Sequence, residues 1–226
     1  MSDSLFQKEI NDRKITRLCH ITRSQKALHI LSSEEGIKAV DFLDDSIYDA
    51  NDPLRLDGKT DFINCSIEYP NHWYWNKVKD KDPLFKNWVI LLINPEIILL
   101  DTTYFCAFNA AVGRGAYIKK GYSAFKELYN DTVRGRSRTP NMLSCCPTDD
   151  QAEVLVYRNI SRKDIIGVIV KDEDQAESES IKWYYNLKTV PQFEITIAPD
   201  LFNGEWSNKV RQGIRPLEYK YKGGEH

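Results

Sequence analysis

The sequence predicts a single mixed α+β domain. Its 226 residues are room for one domain of ordinary size. Apolar runs of strand length alternate with helical stripes too irregularly for a doubly wound parallel sheet. The glycine signatures that open such sheets are also missing: there is no GxxxxGK followed by Ser or Thr, and Gly113-Arg-Gly115 lacks the third glycine of GxGxxG. Hydrophobic residues make up 42% and charged residues 28%, the composition of a folded chain. Thirty-one Lys+Arg against 33 Asp+Glu give a formal charge of −2, which excludes nucleic-acid binding through bulk positive charge and leaves only a local patch.

The elements follow in order. Ser24 can cap a helix whose stripe is Ala27, Leu28, Ile30 and Leu31, and Gly36 can end it. Val40 to Phe42 reads as a short strand, and Asp44 to Lys59, rich in Asp, Asn, Pro and Gly, as a loop. Phe62 to Ile67 alternates as a strand. Pro70 can start a helix through about Val78, with Trp73 and Val78 inward. Trp88 to Ile93 is a buried strand stopped by Pro95, with a second apolar run at Ile97 to Leu100. Tyr122 to Tyr129 has helical spacing, and from there to Pro147 the chain is polar, basic and irregular. Val154 to Tyr157 and Ile165 to Val170 are strands, Ala176 to Leu187 a helix and Phe193 to Ile197 a last strand. Gly204 to His226 is polar and basic, readable as an ordered cover, a partner-binding tail or a frayed end.

Several chemistries are excluded. There is no GxSxG elbow and no HExxH. The five cysteines are odd in number with no CxxC pair, and with four histidines they predict no zinc cluster. Cys145-Cys146 has no histidine nearby, so a buried structural role is favoured over a nucleophile. No apolar run approaches the roughly 18 residues that span a bilayer. The N-terminus has no signal-peptide pattern, so a cytoplasmic, reducing setting without membrane contact is expected.

Four segments carry candidate chemistry. His20 and Thr22 alternate in an extended piece and so point to one side, where they could hold a ribose; a histidine satisfied by backbone is the competing reading. Arg55, in Leu54-Arg-Leu-Asp-Gly58, suits a pyrophosphate or carboxylate, or else a surface pair with Asp57. Phe108-Asn-Ala-Ala111, followed by Gly113 and Gly115, allows close backbone approach or makes a tight turn. Gln151 and Glu153 straddle Ala152 at the mouth of an apolar strand, where a carboxylate can stabilise positive charge at a sugar carbon. Lys119, Lys120, Arg134, Arg136 and Arg138 are interleaved with Tyr117, Tyr122 and Tyr129, a pattern for phosphates and stacked bases or for a solvated basic loop.

In order along the chain these segments resemble the DarT family of ADP-ribosyltransferase toxins. The match runs from the His-x-Thr segment through Arg-Leu-Asp-Gly, Ile-Asn-Cys-Ser-Ile-Glu-Tyr-Pro-Asn, Trp-Val-Ile-Leu-Leu-Ile-Asn-Pro and Asn-Ala-Ala to Pro-Thr-Asp-x-Gln-Ala-Glu-Val-Leu-Val, over roughly residues 15 to 170. The resemblance implies one ADP-ribosyltransferase domain over 1–226: a split β-sheet with peripheral helices and an NAD+ cleft between its halves. It implies transfer of ADP-ribose from NAD+ to a base of single-stranded DNA, with mRNA as the acceptor in the variant typified by CmdT-like anti-phage toxins and no metal required. His20, Thr22 and Arg55 match NAD+-holding positions; Glu153 matches the catalytic glutamate, with Arg55 beside it as catalytic or orienting. Gln151, Asn109, Arg134, Arg136 and Arg138 are the positions expected to meet the acceptor. The implied partners are single-stranded DNA or RNA, a cognate antitoxin of macrodomain type or another kind, and a chaperone. Gln-x-Glu pairs also occur in relatives that modify protein, and a non-catalytic binding module is the remaining alternative. Cys146 before Pro147-Thr148, and the loop after Gly113, depart from the best-known members.

Overall fold

A computed structural model describes residues 2–43, 56–79, 87–188, 191, 193 and 195–223. The chain opens with α1 (Ser2–Arg13), β1 (Leu18–Arg23), α2 (Ser24–Ser32) and β2 (Ile37–Lys38). Next come β3 (Phe62–Ile67), α3 (His72–Val78), β4 (Trp88–Ile93), β5 (Thr103–Cys106), β6 (Lys119–Lys120) and α4 (Tyr122–Glu127). The small strands β7 (Thr132–Val133) and β8 (Arg136–Ser137) precede β9 (Glu153–Tyr157), β10 (Asn159–Ile160) and β11 (Ile165–Val170). The chain closes with α5 (Glu173–Asn186), β12 (Ile195–Ile197), α6 (Asp200–Asn203), α7 (Trp206–Arg211) and β13 (Tyr219–Lys220).

Among the described residues nine strands form one mixed sheet in the order β13-β12-β11-β4-β1-β3-β9-β5-β6. Strand β4 lies near its centre, and all six of its residues are buried, which is why it reads as an unbroken apolar run. The sheet is two halves joined at one point. β1 pairs with β4 along its whole length, from Leu18 opposite Ile93 to Arg23 opposite Trp88. With β3 it pairs only at Leu18–Ile67 and Cys19–Ser66. Beyond Cys19 the His20 side chain meets β3 in place of backbone, its Nδ1 donating to the Asn64 carbonyl at 3.0 Å. The two strands part there, giving the split sheet that the family resemblance implied.

Four local readings change. Val40 to Phe42 is a 3-10 turn, because Phe42 and Leu43 bond back to the carbonyls of Ala39 and Val40. Helix α2 starts at Ser24 with Arg23 at its cap position, and the Ser24 hydroxyl instead donates to Glu179 of α5 at 2.5 Å. Gly36 lies beyond the helix end at φ +68°, where an added Cβ would stand 2.2 Å from the Ile160 carbonyl, so the turn into β2 demands glycine. In α3 it is Trp75 and Val78 that are buried, while Trp73 is exposed. Residues 75 and 78 are three apart and share a helix face; 73 and 78 are five apart and do not.

Candidate active site

Where β1 and β3 part, a cleft of about 430 Å³ opens. His20 and Thr22 line it from β1, Asn64 from β3, Asn109 from the turn after β5, and Gln151 and Glu153 from the entry to β9.

Glu153 is the first residue of β9, opposite Cys106 of β5, and is 8% exposed. Its Oε1 accepts the Ala110 N–H at 3.0 Å. Its Oε2 accepts from Asn64 Nδ2 at 2.5 Å. The small residues of the Asn109–Ala111 turn therefore bring a backbone donor onto the carboxylate. Asn64 Nδ2 also lies 3.4 Å from Asp57 Oδ2, so one amide serves two carboxylates. Asp57 is 4% exposed, and its Oδ1 accepts the Lys59 N–H at 3.1 Å. Asn64 Oδ1 is buried and finds no hydrogen-bond partner among the described residues. A buried amide oxygen left unpaired while its amino group holds a carboxylate carries an energetic cost. The result is a buried carboxylate with fixed orientation, suited to stabilise positive charge or receive a proton.

Gln151 is fixed from both sides. Its N–H donates to Asp149 Oδ1 at 2.9 Å, and its Oε1 accepts from Asn109 Nδ2 at 3.1 Å. Burial pushes the Asp149 carboxyl above its usual range, against the opposing pull of the Gln151 N–H and of Arg136.

The structure thus brings His20, Thr22, Asn109, Gln151 and Glu153 to one cleft. Arg55 lies outside the described residues. Arg134 is exposed, its guanidinium 4.9 Å from the Phe108 ring centre. Arg136 pairs with Asp149 at 3.6 Å and Asp150 at 3.5 Å, and sits 5.7 Å from the Trp73 ring. Arg138 is held by two backbone carbonyls: Nη1 donates to that of Cys146 at 2.8 Å and Nη2 to that of Leu143 at 2.7 Å. It staples the loop that leads to Gln151. Lys119 is likewise engaged with Glu127, at 2.8 Å. The basic segment is largely a set of struts.

All five thiols are buried. Burial pushes Cys106 up to about 11 and Cys19 up to about 12, so neither is a thiolate at neutral pH. Cys145 and Cys146 have sulfurs 3.8 Å apart. Among the described residues no group of three His, Cys, Asp or Glu is placed to hold a metal, and no helix is long and apolar enough to cross a membrane.

Asn64, Asp57 and Trp73 were not among the residues singled out for the site. Asn64 carried one available signal, a polar side chain amid the apolar strand Phe62–Ile67. Asp57 stood beside Arg55 as its competing surface partner.

A family profile described as "ssDNA thymidine ADP-ribosyltransferase, DarT" matches residues 19–203. No curated protein matches the chain by sequence. Among solved structures, DarT of Thermus sp. 2.9 in complex with NAD+ has a TM-score of 0.59 at 13% identity, over 84% of this chain and 98% of that one. The same protein in complex with ADP-ribosylated ssDNA scores 0.60 at 12% identity, over 84% and 97%. Thermosipho africanus DarTG in complex with ADP-ribose scores 0.57 at 18% identity; 83% of this chain spans about half, 51%, of that one. At these identities the likeness is one of fold.

Proposed function

The chain belongs to the DarT family of NAD+-dependent ADP-ribosyltransferases, and on that premise we propose that it transfers ADP-ribose from NAD+ to a base of single-stranded DNA. The observation that carries the reading is the Glu153 carboxylate, buried at the parting of the sheet and held by Asn64 and the Ala110 amide.

The chemistry follows from that placement. The bond between the ribose C1′ and the nicotinamide nitrogen breaks, and its electron pair leaves with neutral nicotinamide. C1′ gains oxocarbenium character, as in glycoside transfer. The Glu153 carboxylate offsets that positive charge and accepts a hydrogen bond from the ribose 2′-OH. A nitrogen of the acceptor base attacks C1′, and its proton passes to Glu153. His20 and Thr22 hold the dinucleotide on the β1 side, with Arg55 assigned to its pyrophosphate or to ordering the glutamate. Gln151 and Asn109 meet the acceptor base. The same reading brings a cognate antitoxin, a macrodomain-type protein able to remove the mark.

The test is incubation with NAD+ labelled in its ADP-ribose part, with single-stranded DNA, single-stranded RNA or a bulk protein extract as acceptor. Label on DNA, lost in Glu153→Gln, is the expected result. Label on RNA alone moves the acceptor to RNA. Label on protein alone overturns the nucleic-acid reading, and label on nothing returns the chain to a binding module.

Asn64 is a positioning residue in this scheme. Asn64→Ala removes a charge-assisted hydrogen bond from Glu153 Oε2. The expected loss in kcat is about tenfold to a hundredfold, with KM for NAD+ nearly constant, measured by nicotinamide release. A rise in KM with unchanged kcat would instead give Asn64 a role in binding NAD+.

A further inference from the structure

Gln151 is linked through its hydrogen-bond partners to two arginine–aromatic pairs. On one side is Trp73, 53% exposed and part of the cleft wall. Arg136 lies 5.7 Å from its ring and pairs with Asp149, whose other oxygen accepts the Gln151 N–H. On the other side Asn109 donates to Gln151, and the neighbouring Phe108 ring lies 4.9 Å from Arg134 and 5.2 Å from the half-exposed Tyr117 ring.

Both arginines come from one hairpin. β7 and β8 pair at Thr132–Ser137 and Val133–Arg136, leaving Arg134-Gly135 as a two-residue turn. Both turn residues have positive φ, +47° and +79°, the geometry that matches strand twist in tight hairpins. Arg134 holds a left-handed conformation that a β-carbon disfavours. The hairpin thus puts Arg136 near the Trp73 ring and Arg134 near the Phe108 ring.

Arg136 faces two carboxylates, Asp149 and Asp150, and Asp150 also takes Arg211 at 3.2 Å. Its charge is spent on those partners, so it serves poorly as a phosphate clamp. Its remaining contact is with the indole, 5.7 Å from the ring centre. Trp73 leaves over half its surface in water although Trp75 and Val78 already anchor the same helix. A large flat apolar ring left open in a cleft wall is a surface on which a flat ligand can stack.

We propose that Trp73, beside the β7–β8 hairpin, is the stacking platform for the acceptor strand. The base next to the acceptor lies on the indole, and the acceptor base itself is presented to Gln151 and Glu153. This rests on the nucleic-acid reading above and deepens it. The choice of acceptor over dinucleotide follows from connectivity: Trp73 is tied through Arg136 and Asp149 to Gln151, whereas His20 and Thr22 stand on β1 across the parting. A duplex hides both faces of each base, so a ring of this kind selects unpaired strands.

The test compares KM for a single-stranded oligonucleotide with KM for NAD+ in one assay. Trp73→Ala is expected to raise the first about tenfold or more and to leave the second within about twofold. Trp73→Phe keeps a ring and is expected to recover most of the loss. An oligonucleotide with abasic positions flanking the acceptor should cost the wild type a similar factor and cost Trp73→Ala little more. A rise in KM for NAD+ in Trp73→Ala assigns the ring to the dinucleotide and overturns the proposal, as does an unchanged KM for the oligonucleotide. A wild type that labels no oligonucleotide overturns the nucleic-acid reading first and this inference with it. Circular dichroism of both variants checks that α3 stays folded.

Discussion

Glu153→Gln is expected to lower kcat for ADP-ribose transfer about 10³-fold, or ~4 kcal/mol of transition-state stabilisation. The substitution keeps size and shape, so the loss isolates charge. A carboxylate oxygen now accepts from Asn64 Nδ2 and another from the Ala110 N–H. An amide offers one acceptor, and its NH2 must face one of those donors, so at least one bond is lost along with the negative charge. Oxocarbenium character develops only in the transition state, so the penalty falls on kcat and much less on KM for NAD+. Glu153→Asp keeps the charge but is one methylene shorter, and should lose less than Gln does. Steady-state release of nicotinamide is the readout, with the melting temperature as control. Activity within about tenfold of wild type in Glu153→Gln would remove this residue from the catalytic role.

The second large effect is on stability and falls on Glu68. This residue follows β3, is 1% exposed and holds φ +66°. Its carboxylate accepts the Thr16 N–H at 2.9 Å and the Thr16 hydroxyl at 3.0 Å, and Arg215 approaches at 3.4 Å. Its own carbonyl accepts Arg17 Nε at 2.9 Å, and Arg17 reaches on to Glu218 at 2.7 Å. One side chain thus ties the entry to β1, the exit of β3 and the segment before β13. Glu68→Ala removes two hydrogen bonds that Thr16 makes to a buried carboxylate and is expected to cost about 3 kcal/mol. For a domain of this size that is a fall in Tm of about 6–12 °C. Glu68→Gln retains one acceptor and should fall between the two. A thermal melt of Glu68→Ala within about 2 °C of wild type would show that the cluster contributes little.

The parts of this molecule that can be read along the chain are those whose causes are local. β4 is an unbroken apolar run because it is covered on both faces. Glu153 stood out by its place at the mouth of a buried strand, since the Gln-x-Glu spacing alone is weak, and the role assigned to it came from the family resemblance. Asn64 was not, because its partner is 89 positions away and only the pairing of β3 with β9 brings them together. The arginines of the basic segment show the same limit. Sequence counts Arg136 and Arg138 as positive charge, but the fold spends one on Asp149 and Asp150 and the other on two carbonyls. The β7–β8 hairpin escaped notice because its turn is Arg-Gly, where asparagine or aspartate is the usual first residue. Trp73 and Trp75 exchanged places because a seven-residue helix gives too short a stripe to fix its phase.

The two-pair contact between β1 and β3 makes the molecule a pair of jaws with a fulcrum. Leu18 and Ile67 are the fulcrum, both buried, and past Cys19 β1 runs on from His20 to Arg23 paired with β4 but no longer with β3. Four residues of strand extend about 13 Å, so a rotation of about 5° at the fulcrum displaces the far end by about 1 Å. A misplacement of that size can cost a reaction about 10²-fold. Leverage of this kind decouples distance from importance. Trimming a methyl group at Leu18 or Ile67 touches no ligand, yet it resets the gape between Thr22 and Asn64, so fit is governed as much by the fulcrum as by the residues that line the gap.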